Sequence, residues 1–129
     1  MLPPIDQDYH AARFPGHEVV PDAGLIAVVL PGLVLPPGFT LQTSDLLLRL
    51  QPGYPDVPPD MWWFSPAIVR TDGAGIAATQ VTEVYLGRKW QRWSRHLNPG
   101  QWKSGIDTLE SFLALVSGQL RAAAQGLAA

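Results

Sequence analysis

The chain has 129 residues, a formal net charge of −2, 47% hydrophobic and 16% charged residues, an ordinary balance for one soluble globular domain able to bury a core. Cysteine is absent, which excludes disulfides, thiolate catalysis, redox pairs and Cys-based zinc sites. No apolar run approaches the ~20 residues of a membrane span, and no basic block leads into an apolar N-terminal stretch, so a cytoplasmic protein is expected.

Twelve of the thirteen prolines precede Ala67, so strands and fixed turns are expected first and longer uninterrupted elements later. After Pro3-Pro4, Ile5–Arg13 reads as two helical turns with Asp6 and Asp8 near their start, ended by Phe14-Pro15-Gly16. Gly24–Leu30 (GLIAVVL) is a continuous apolar, β-branched run, the pattern of a strand buried on both faces. Pro31-Gly32 is expected to turn it, and Pro36-Pro37-Gly38 to break the short Leu33–Leu35 segment. Ser44–Gln51 (SDLLLRLQ) reads as a second strand. Pro52–Pro59 (PGYPDVPP) has four prolines in eight residues and cannot be helix or interior strand. Met61–Phe64 (MWWF) reads as a short aromatic strand running toward Ala67–Arg70, Asp72–Gly75 as a turn, and Thr79–Leu86 as a fourth strand.

Trp90–Trp102 (WQRWSRHLNPGQW) holds three of the five Trp, and Arg88–Lys103 holds five of the nine Lys and Arg with no Asp or Glu. Rings interleaved with guanidiniums make either a binding surface or a core over which the arginines snorkel. The Trp are expected mostly inward. Next, Leu109, Phe112, Leu113, Val116 and Leu120 recur at helical spacing as one apolar stripe. Asp107 with Glu110 is a candidate capping box, with Ser104 as a competing cap. Gly118 weakens the middle by about 1 kcal/mol relative to Ala, and Gly126 is a natural stop.

Little here spells chemistry. Gly73–Ala78 (GAGIAA) fits a dinucleotide fingerprint in letters. The next residues, Thr79–Leu86, are a strand by composition, so the phosphate-binding helix N-terminus is missing and a turn is the better reading. His10, His17 and His96 lack metal-ligand spacing, and no cofactor or metal is expected. Ser94 and His96, two apart on an extended segment, would share a face, with no orienting acid evident. The acidic chain argues against nucleic acid as the partner of the Trp90–Arg95 patch.

Leu46–Phe64, LLLRLQPGYPDVPPDMWWF, resembles the core of the ubiquitin-conjugating enzyme (UBC) superfamily. There a strand leads through a Tyr-Pro-x-x-Pro-Pro turn, here Tyr54, Pro55, Pro58 and Pro59, into an aromatic strand. Gln101-Trp102 before Ile106–Val116 is similar to the family's tryptophan ahead of its helix, and WSRH with PPDMWW looks most like the prokaryotic branch called family E. The resemblance implies a single UBC-like domain over residues 1–129. Its fold would be α+β: an antiparallel four-strand meander between a short N-terminal and a long C-terminal helix, with Tyr54–Pro55 cis.

In that family a cysteine carries a ubiquitin-like protein as a thioester. Counting back from Trp102 puts Ser94 at its place; counting forward from Phe64 puts Ala77 there. The His-Pro-Asn motif is replaced by Val84-Tyr85-Leu86, while His96-Leu97-Asn98-Pro99 lies on the other side of Ser94. The resemblance therefore implies a non-catalytic protein that binds a ubiquitin-like protein or its activating enzyme through Arg92, Arg95 and His96, with Trp90 and Trp93 beneath them. One alternative is an acyl carrier using Ser94 with His96 as base. Another is an anionic-ligand or RNA module using the Trp90–Arg95 patch.

Overall fold

The computed structural model describes residues 2–126. Pro4 presets the first turn of α1 (Pro4–Arg13). The chain then forms β1 (Glu18–Asp22), β2 (Leu25–Val34), β3 (Thr43–Leu50), β4 (Trp62–Ser65), β5 (Thr82–Tyr85), β6 (Arg88–Trp93) and α2 (Leu109–Ala124). Every neighbouring pair is antiparallel, in the order β1-β2-β3-β4-β6-β5. The fold is α+β with a short N-terminal and a long C-terminal helix, as expected, but the sheet has six strands rather than four.

The added strands are β1 and β6, each joined to its neighbour by a two-residue turn. Ala23-Gly24 and Leu86-Gly87 all have positive φ, the geometry that matches the twist of a tight hairpin. Asn normally fills the first place of such a turn, and Ala and Leu conceal it. Pro21 also hides β1, and it is tolerated there because β1 is an edge strand. Pro31-Gly32 does not end β2: the strand runs on to Val34 through a bulge between Leu30 and Leu33, with the Gly32 N–H donating to Asp45 Oδ1 at 2.9 Å. The fourth expected strand shrinks to Thr82–Tyr85, and β4 stops at a cis Ser65–Pro66 bond. Tyr54–Pro55 is cis as well.

Strand alternation sorts the core into two layers. Val28, Leu30, Leu46, Leu48, Trp62, Phe64 and Trp93 pack with the whole stripe of α2, Leu109 to Leu120. Their neighbours Ala27, Val29, Leu47, Trp63 and Trp90 form a smaller layer on the opposite face. Among the described residues no helix covers that second layer; arginines do. Arg49 lies 3.8 Å from the Tyr85 ring centroid and pairs with Asp22, and Arg88 lies 4.4 Å from the Trp90 centroid and pairs with Asp45. The expected snorkelling is thus present on the outer face.

The capping box of α2 sits one residue later than Asp107–Glu110. Thr108 is the N-cap and exchanges hydrogen bonds with Ser111. Asp107 instead accepts from the Lys103 N–H and the Ser111 hydroxyl, and Ser104 bonds Asp56. The buried Asp6 of α1 accepts from the Tyr54 hydroxyl at 2.7 Å and from the Leu109 N–H at 2.9 Å. It thereby ties α1, the proline turn and the start of α2 together. Trp102 braces the same junction, its indole N–H donating to the Pro55 carbonyl at 2.8 Å. None of the described helices is long and apolar enough to cross a membrane.

His10 is fully buried, with neither ring nitrogen hydrogen bonded to a described residue, 5.5 Å from His17 between ring centroids. Burial lowers its pKa below the ordinary 6.5, His17 adds to this and Asp6 opposes it. Between the folded value and 6.5 the unfolded chain binds a proton that the folded chain does not. The stability tied to neutral His10 is therefore complete above about 6.5 and falls as pH drops toward the folded value. Urea midpoints measured from pH 7.5 to 5 should decline below 6.5, and more steeply in the wild type than in His10→Leu. Equal slopes would show that His10 does not titrate against folding.

Candidate functional site

Alternation along β6 determines where the patch residues go. Trp90 and Arg92 lie on the outer face, and Gln91 and Trp93 on the face toward α2. Both Trp are completely buried, so neither ring is free to stack on a base, and a single-stranded nucleic acid finds no stacking surface at this patch. They act as supports: Trp90 under Arg88, Trp93 under Arg95, whose guanidinium is 4.9 Å from the ring centroid. Gln91 is also buried. It accepts from the Ile68 N–H and the Trp93 indole and donates to the Ile68 carbonyl, holding the segment after β4.

Past β6 the chain leaves the strand, the Arg95 N–H donating to the Trp93 carbonyl at 2.9 Å, and is pinned on both sides. The Ser94 N–H donates to the Ala78 carbonyl at 3.0 Å, and the Arg95 carbonyl accepts from the Met61 N–H at 3.1 Å. Arg95 Nη1 donates to the Ala77 carbonyl at 2.6 Å. The two positions that the resemblance offers for the family's cysteine, Ala77 and Ser94, therefore lie on segments hydrogen bonded to each other. This segment, with Pro59, Met61 and Trp62 and the α2 residues Phe112, Leu115 and Gln119, encloses a cavity of about 340 Å³. Its floor is apolar, and Ser94, Arg95, His96, Asn98 and Gln101 edge it.

The expected cations do not form one face. Arg92 belongs to the outer face, with Nη1 3.5 Å from Glu83 and Nε donating to Ser94 Oγ at 3.0 Å. Arg95 turns toward α2, with Nε 3.4 Å from Gln119 Oε1. It has no carboxylate partner among the described residues, and burial lowers its pKa. His96 Nδ1 meets Asp60 Oδ1 at 2.7 Å, in an exposed pair that contributes little to stability. No hydrogen bond joins Ser94 to His96 among the described residues. Asp60 is thus the orienting acid not evident in the sequence. No spacing rule links it to a histidine 36 residues away, and Gln119 was equally hidden on the polar side of the α2 pattern. The structure shows no group of three or more His, Cys, Asp or Glu placed to hold a metal among the described residues.

Chemically, the edge offers a serine hydroxyl held by a guanidinium, an imidazole held by a carboxylate, and a half-buried cation without a counter-charge among the described residues. The family profile described as Prokaryotic E2 family E matches residues 2–123. No curated protein and no solved structure matches the chain. With the match spanning nearly the whole chain, over a two-helix α+β fold, the chain belongs to the prokaryotic E2 family E.

Proposed function

We propose that this chain is a single UBC-like unit of a bacterial ubiquitin-like conjugation pathway that binds a ubiquitin-like protein or its activating enzyme without transferring it. One observation carries the non-catalytic reading. In a chain without cysteine, Ser94 Oγ accepts from Arg92 Nε, and among the described residues no hydrogen bond joins it to His96. A serine hydroxyl needs a base to become a nucleophile at neutral pH. A serine ester is also less reactive than a thioester, which favours a dead end over onward transfer. Arg95 and His96 remain at the cavity edge as contacts for an acidic partner surface.

A second reading is favoured by the Asp60–His96 pair, which orients the imidazole as a Ser-His acyl acceptor requires. The two readings separate in one experiment. Ser94→Ala should leave binding to the activating enzyme and the ubiquitin-like protein unchanged within about twofold. Arg95→Glu, with its fold confirmed by circular dichroism, should weaken binding about tenfold at low salt, mainly by slowing association. Arg92→Glu should have a smaller effect, because Glu83 already neutralises Arg92. If the unmutated chain forms a base-labile adduct that Ser94→Ala abolishes, the serine-acceptor enzyme replaces the binding reading.

A further inference from the structure

On the other side of Arg95 lies a second cavity, of about 220 Å³, lined by Arg70, Gly75, Ile76, Ala77, Arg95, Ala123 and Gly126. Two guanidiniums reach it from separate segments, and among the described residues no carboxylate lines it. Arg70 is paired with Asp72 and abuts Gly126, just past the end of α2. The partial negative charge of a helix C-terminus compensates a cation there. Arg95 has no carboxylate partner among the described residues: it meets the Ala77 carbonyl, Gln119 and the Trp93 ring. A half-buried cation without a counter-charge is costly to keep and marks a place where an anion gains.

The loop completes the site. Gly75, Ile76 and Ala77 line the cavity, and none of their backbone N–H groups donates a hydrogen bond to another described residue. This is the GAGIAA stretch whose letters resemble a phosphate-binding fingerprint. No helix comes after it before β5, so any anion there would be held by loop amides and arginines and not by a helix N-terminus.

We propose that this cavity is an oxyanion-binding site for a carboxylate or a phosphate, held by Arg95, Arg70 and the Gly75–Ala77 amides. Among the described residues two arginines face one aspartate, with the end of α2 offsetting part of the remaining positive charge, and guanidinium forks match both anions. The site adjoins the cavity edged by Ser94 and His96 and shares Arg95 with it, but the proposal does not depend on the pathway assignment.

The test is amide and guanidinium NMR of the full chain, titrated at constant ionic strength so that general screening is held fixed. The probes are inorganic phosphate and N-acetylglycylglycine with a free carboxylate, with its amide as the neutral control. Saturable shifts of Gly75, Ile76, Ala77 and the Arg95 side chain are expected from at least one charged probe, with Kd on the order of millimolar. Whichever probe saturates identifies the source of the oxyanion. Arg95→Gln should weaken binding about tenfold. Non-saturating drift with both probes overturns the proposal, as does unchanged affinity in Arg95→Gln. Should that variant fail to fold, the wild-type shift map decides: saturation centred on Arg88 or Arg92 of the outer face refutes the site.

Discussion

Phe112→Ala should destabilise the chain by about 3–5 kcal/mol, measured by urea unfolding. Phe112 is 2% exposed and occupies the middle of the α2 stripe, meeting Trp62 edge-on with ring centroids 5.9 Å apart at 83°. Truncation removes the transfer energy of a whole ring and leaves a hole that two rigid neighbours, Trp62 and the stacked Trp93, cannot collapse into. The same ring is also part of the wall of the cavity edged by Ser94 and His96. The variant should therefore lose partner binding in proportion to its unfolded fraction, and beyond it if the floor sags. A loss below about 1 kcal/mol would mean that α2 does not pack on the sheet as described.

Asp6→Ala should cost about 3 kcal/mol, although it removes a charge from a site that is 1% exposed. A buried carboxylate is tolerable only when its oxygens are satisfied, and here both are. Its loss would leave the Tyr54 hydroxyl and the Leu109 N–H buried without acceptors, and the positive end of α2 without its carboxylate. Burial, with the bond to Asp6, holds the Tyr54 pKa far above its ordinary value, so the hydroxyl stays a donor at any working pH. Tyr54→Phe alone should cost less, because Asp6 would keep its bond to α2. In a double-mutant cycle the two changes should couple by about 1 kcal/mol or more. Additive losses would show that the Asp6–Tyr54 bond contributes nothing.

Local patterns in the chain were enough for both helices, the cores of β2, β3 and β4, and the aromatic-proline turn. Each depends on residues close together in sequence: the Leu109–Leu120 stripe, the GLIAVVL run, the fixed φ of Pro55, Pro58 and Pro59. Family membership was legible for the same reason, since Tyr54–Pro59 and Trp102 are short-range motifs. The absence of cysteine alone excluded thioester chemistry within this chain.

What the sequence could not show is what depends on pairing across the chain. That Trp90 and Trp93 support opposite faces is a consequence of the register of β6 against β4 and β5, and a one-residue slip would exchange them. The same register sends Arg92 to Ser94 and turns Arg95 to Ala77 and Gln119. The Asp60–His96 and Asp6–Leu109 bonds join positions 36 and 103 residues apart, a separation at which side-chain type carries no information about partners. Composition and periodicity record which side of an element is buried. Only the packed sheet decides which element lies opposite, because hydrophobic burial has no direction while hydrogen bonds and ion pairs require one particular neighbour.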